Sequence, residues 1–73
     1  MEKVTFKLRS GEEFIVLLKL LKLQQLAQSG GHAKLMVEDG LVNVNGKKET
    51  LKRKKLYAGD IVEVEGMTIE IIN

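Results

Sequence analysis

The residues of this 73-residue chain most able to do chemistry are its cations. Lys52-Arg53-Lys54-Lys55 run consecutively, and Lys47 and Lys48 precede them by a few positions, so this stretch holds six of the twelve basic side chains. Such a density can neutralise several phosphates, and each contact releases condensed counterions and makes binding fall with salt. Lys19, Lys22 and Lys34 add charge upstream. Cutting the chain after residues 18 and 55 gives net charges of zero, +6 and −4 for the three pieces, although the whole carries only +2. Segregation of this kind points to an anionic partner for the middle of the chain; two separately solvated surfaces are the alternative.

Other chemistry has little to stand on. A single histidine, His32, cannot assemble the positioned partners of acid-base or nucleophilic catalysis, nor a metal site without several carboxylates. There is no cysteine, hence no disulfide or thiolate site. Glu63, Glu65 and Glu70 alternate with Val62, Val64, Ile69 and Ile71, the period of a solvated sheet face rather than of a catalytic set. Ser29-Gly30-Gly31 lacks the spacing and the Lys-Ser/Thr ending of a phosphate-binding P-loop. Two readings of it stay open: helix-opening amides left bare for a phosphate, or a tight turn that needs glycine for its backbone angles. No enzyme activity, cofactor, metal or small-molecule substrate is therefore expected. Phe6, Phe14 and Tyr57 are the only aromatic residues. That inventory disfavours a reader of single strands and fits a folded RNA recognised by shape and backbone, while charge alone does not separate RNA from DNA.

These side chains need elements to position them. Val4, Phe6 and Leu8 alternate with polar residues, a strand closed by Ser10-Gly11. From about Ile15 to Ala27 the apolar residues take helical spacing, with Leu17, Leu20, Leu21 and Leu23 competing for the inward face and Lys19 and Lys22 on the wet side. Ser29 is placed to cap a second helix, in which Ala33, Met36 and Val37 face inward and Lys34 and Glu38 form an exposed i, i+4 pair. Gly40 suits the left-handed position past that helix. Val42 and Val44 lead into Asn45-Gly46, a strong hairpin signal, and a short return strand. Ala58-Gly59-Asp60 and Gly66 punctuate two further strands. The expected architecture is α+β, with two short helices packed on a small, mainly antiparallel sheet, in one domain spanning residues 1–73. The run FIVLLKLLKL is about half a bilayer span and is cut by two lysines. No membrane segment or signal peptide is expected, and a cytoplasmic monomer is the default.

Taken in order, the leucine-rich first helix, SGGHAK, EDGLVNVNG and KLYAGDIVEV resemble the RNA-binding domain named after ribosomal small-subunit protein S-four, also called the alpha-L motif. The resemblance covers roughly residues 14 to 65 and looks strongest to the small stand-alone bacterial proteins of the YaaA type. It implies an RNA-facing surface made by the two helices and the hairpin, used on ribosomal RNA and, in other members, on transfer RNA. Carried onto this chain, Ser29, Gly30, Gly31, Lys34, Asn45, Lys47 and Lys48 would lie on that surface, extended by Lys52, Arg53, Lys54 and Lys55 and flanked by Lys19 and Lys22. Many larger members have an arginine directly after the serine, where this chain has Gly30; Lys34 stands one turn further on. The resemblance thus implies a ribosome-associated or assembly factor. A reading from a different class is an adaptor that docks a basic protein on the acidic C-terminal sheet face.

Overall fold

The computed structural model describes residues 2–73. Its strands are β1 (Glu2–Lys7), β2 (Ile15–Val16), β3 (Val42–Val44), β4 (Lys47–Lys48), β5 (Lys55–Leu56), β6 (Ile61–Val64) and β7 (Met67–Ile72), and its helices are α1 (Leu17–Leu23) and α2 (Gly30–Glu38). Five strands form one sheet in the order β1-β7-β6-β3-β4, and β2 pairs with β5 in a small antiparallel ladder. The large sheet is antiparallel except at its edge, where β1 lies parallel to β7, the first strand beside the last. This is the α+β arrangement expected from the pattern of the chain.

One face of the sheet is the core. The register aligns Val4, Ile69, Val62 and Val44 across four strands, and Ile71 follows Ile69 on the same face. Leu17, Leu20 and Leu21 of α1, Ala33, Met36 and Val37 of α2, and Leu56 of β5 close over them in a single buried cluster. Burying each such leucine or isoleucine contributes on the order of 2 kcal/mol relative to leaving it exposed. The opposite face is open, and its side chains alternate with the core residues as a half-buried sheet requires.

The first helix is shorter than its apolar period suggests. At its start, the β-branched pair Ile15-Val16 extends to meet Lys55-Leu56, and the Leu17 amide donates to the Lys54 carbonyl at 2.9 Å, so two residues of helical spacing serve as strand. At its end, Gln25 adopts φ 60°. The amides of Gln25 and Leu26 then donate back to the carbonyls of Lys22 and Leu21, the reciprocal pair that closes a helix through a left-handed residue. Glutamine rarely takes that position, which is why spacing alone overran it. Leu26 and Ala27 still pack on the core from the connector.

The second helix has the ends expected of it. Ser29 is extended, and its hydroxyl accepts from the His32 amide at 3.1 Å. Gly40 takes φ 74° beyond the last turn, and the amides of Gly40 and Leu41 return to Val37 and Met36. Asn45 and Gly46, at φ 53° and 85°, form the two-residue turn between β3 and β4 with both central residues left-handed. The β6–β7 turn uses the same geometry at Glu65 and Gly66, so Glu65 sits in a turn rather than in the strand alternation that its neighbours follow.

Candidate nucleic-acid interface

Helix α1 reaches the surface through Lys19 and Lys22, three residues apart and so on one side of the helix. The turn that ends α1 carries the chain directly to Ser29, which sets the start of α2 beside that exposed side. From the other direction, the ladder between β2 and β5 holds the basic run against the entry to α1. The result is a groove of about 350 Å³ lined by Lys19, Lys22, Gly30 and Arg53, over an apolar floor of Val16 and Leu18. Three cations from two segments more than thirty positions apart thus surround the first residue of a nine-residue helix. The helix brings no acidic side chain to its own first turn, so nothing there offsets the partial positive charge of its free amides. A groove of this make-up can hold an oxyanion, with the guanidinium and ammonium groups supplying charge and the amides directional donors.

The two glycines at this point are not required by the backbone. Neither Gly30 nor Gly31 is among the residues with positive φ. A Cβ built on Gly30 meets nothing within 4 Å, and one on Gly31 meets only the Ser29 hydroxyl at an ordinary 3.8 Å. Of the two readings left open by Ser29-Gly30-Gly31, the turn that needs glycine for its angles loses its physical reason. What glycine provides here is an unobstructed approach to the amides.

The other cations of the basic run diverge. Lys52 reaches Glu38 at the far end of α2, 3.4 Å away, and this is the pair Glu38 makes in place of the expected one with Lys34. At that distance and exposure it stabilises the fold little. Lys54 is half-buried and gives its carbonyl to α1. Lys55 turns to the other side, where its Nζ stands 5.0 Å from the centroid of the Phe14 ring. Lys34 is exposed on the outer side of α2.

The hairpin is likewise set apart from the groove. Lys48 lies along Gly40, its Cε only 2.8 Å from where a Cβ on that glycine would fall. Its ammonium therefore stands at the C-terminal end of α2, about 13 Å from the start of the helix by its rise per residue. Lys47 is exposed on the adjoining edge strand. The Asn45 carboxamide is engaged within the fold: its Nδ2 donates to Asp60 Oδ1 at 3.1 Å, and its Oδ1 accepts from the Ile61 amide at 2.9 Å. It ties the hairpin tip to the turn before β6, a tertiary pairing that hairpin propensity does not reveal.

Three features had no clear sequence signal. The His32 ring turns back so that Nδ1 accepts from the Gln28 amide at 3.1 Å, reciprocating the cap from Ser29; a histidine given no role is part of the helix start. Asp60 accepts from both the Tyr57 amide and Asn45, fixing the turn on which Tyr57 stands. Phe14 and Tyr57, 43 positions apart, lie with ring centroids 5.9 Å apart.

The acidic sheet face is not a field of one sign. Register partners run Lys3, Thr68, Glu63, Asn43, Lys48 in one row and Thr5, Glu70, Ile61 in the next, so lysines bracket Glu63. A basic partner would meet like charge at the Lys3 end of that row, whereas the Lys48 ammonium turns along Gly40 to the end of α2. Among the described residues, no group of three or more His, Asp or Glu side chains could hold a metal ion, and no helix is long and apolar enough to cross a membrane.

Comparison with known proteins gives the same architecture a family. The family model of the S4 domain matches residues 6–72. A Bacillus subtilis protein described as a "probable ribosome maturation protein", RlbA, is 40% identical over 62 residues, covering 84% of this chain and 87% of that protein. YbcJ of Escherichia coli is 38% identical over 58 residues, covering 80% and 83% of the two chains. The solution structure of YbcJ, described as revealing an alpha-L motif involved in RNA binding, superposes with a TM-score of 0.68 at 36% identity, over 94% of this chain and 86% of that one. With matching architecture and a family model that spans residues 6–72, the chain belongs to the S4 domain family.

Proposed function

We propose that this protein is a non-catalytic RNA-binding module of the cytoplasm that holds structured ribosomal RNA and serves ribosome maturation. The observation that carries the reading is the groove in which Lys19, Lys22 and Arg53 surround the bare amides at Gly30. Similarity to a protein named for ribosome maturation and to an alpha-L motif described as involved in RNA binding supports the choice of ligand. Shape selects the site, because the groove contributes a helix start and point charges rather than a set of base-reading donors and acceptors. Lys34, Lys47, Lys48, Lys52 and Lys54 lie outside the groove and add attraction for other stretches of the RNA backbone, an attraction that physiological salt screens over roughly 8 Å.

Ultraviolet crosslinking in cells, followed by sequencing of the attached RNA, tests the identity of the ligand. Ribosomal RNA should dominate, with reads concentrated in a few structured elements. Recovery of transfer RNA alone, or of no RNA above background, would overturn the ribosomal assignment.

The glycine pair makes a separate prediction. Gly30→Ala places a methyl group in open space on helical backbone, so it should stabilise the protein by about 0.5–1 kcal/mol through helix propensity and a less flexible unfolded chain. The same methyl group stands where the phosphate approaches. Urea unfolding and RNA titration of one variant should therefore move in opposite directions, a higher midpoint with weaker binding. A variant that gains stability and binds as the parent does would show that the helix start is not a contact.

A further inference from the structure

Beside the basic groove lies a second one, of about 440 Å³, lined by residues 11–16 and Lys19. Val16 and Lys19 line both, so the two are continuous across the start of α1. Their chemistry differs. The second groove contains Phe14, against which Tyr57 is tilted at 53° with centroids 5.9 Å apart, and Lys55 Nζ stands 5.0 Å from the Phe14 centroid. Tyr57 remains 47% exposed, and Asp60 holds its backbone through a 2.7 Å hydrogen bond, so the ring stands on a fixed turn with surface left uncovered. The rim is acidic. Glu12 and Glu13 both line the groove, against the single lysine Lys19, and since Glu12 Oε1 accepts from the Arg9 amide, Glu13 is the carboxylate not engaged within the fold.

A phosphate suits the first groove better than the second, where two carboxylates stand against Lys19 and no glycine-opened helix start offers amides. An aromatic ring with amino donors on its edge suits the mouth of the second: it stacks on the exposed Tyr57 ring, which adjoins Phe14 of the lining, and its exocyclic amino group donates to Glu13. The geometry points to a site for one unpaired purine base of the bound RNA, turned out of the helix while its backbone phosphates cross Lys19 into the basic groove. This rests on the RNA-binding reading above and adds to it a feature that the RNA must present. Two of only three aromatic residues are brought together here, enough to seat one base and too few to track a single strand.

The test uses a short RNA hairpin carrying one bulged 2-aminopurine, a twin with the bulge removed, and a third with a bulged uridine. The full-length protein should bind the purine bulge about tenfold more tightly than the fully paired twin, the usual worth of one base stacked on an aromatic side chain. It should quench the 2-aminopurine fluorescence and bind the uridine bulge less well. Tyr57→Leu, at an exposed position, should lose both the preference and the quenching while keeping its affinity for the paired twin. Phe14 is half-buried, so its contribution is read instead from its ring proton signals in the unaltered protein, which should shift with the purine bulge alone. Equal affinity for bulged and paired hairpins, or a preference that survives Tyr57→Leu, would overturn the base site and leave the RNA-binding reading standing. Failure to bind any of the three at low salt would overturn both.

Discussion

Replacing Lys19, Lys22 and Arg53 together by glutamine is expected to weaken binding to folded ribosomal RNA by about 50- to 170-fold at 0.15 M salt, and by almost nothing at 1 M. The magnitude follows from counterion release. Each neutralised phosphate adds about 0.7 to 0.9 to the slope of log affinity against log salt, so removing three such cations should flatten that slope by roughly 2 to 3. All three side chains are exposed, so the fold is left intact and the change acts on binding alone. Position matters as much as charge. Changing Lys3 of β1 to glutamine removes a cation from the open sheet face, and per charge removed the slope should change far less. Equal effects per charge at the two places would mean that only net charge counts.

Leu20→Ala is the largest expected loss of stability. Leu20 is fully buried in α1 between sheet and second helix, and alanine is a better helix former, so the helix itself is not weakened. The cost is the cavity, about 2–5 kcal/mol. A domain of this size has on the order of 4–11 kcal/mol of stability in all, so the substitution removes a large part of it. A thermal melt followed by circular dichroism should show the midpoint fall by roughly 10–30 °C. Leu23→Ala on the same helix, where the leucine is 50% exposed, should move it by only a few degrees. Similar melts for the two would mean that α1 does not bury the face described.

Much of this was legible before folding, for identifiable reasons. Ser29, Gly40 and Asn45-Gly46 are residue types whose local chemistry allows few alternatives, and each stands where expected. The period-2 runs around Val62 and Ile69 likewise became paired strands. What failed to show was decided by partners distant in the chain. Ile15-Val16 has helical spacing, yet the strand at Lys55-Leu56 claims it. Asn45 reads as a turn residue, yet its side chain is held by Asp60 and Ile61. The contiguous cations at 52–55 suggest one patch, but Lys52 and Arg53 stand on a turn closed by the Lys54 amide on the Leu51 carbonyl and only Lys55 enters a strand, so Arg53 lines the groove while Lys52 pairs with Glu38 and Lys55 stands over Phe14. Lys34 has a helical partner four residues on by spacing, and the tertiary fold offers Glu38 another cation instead.

Mapping backbone amide shifts of the isotopically labelled protein during titration with folded ribosomal RNA tests most directly where the RNA sits. The account predicts the largest changes at Lys19, Lys22, Gly30, Gly31 and Arg53, with Lys3, Glu63 and Thr68 on the open sheet face nearly still. Changes concentrated on that sheet face, with the start of α2 undisturbed, would contradict it.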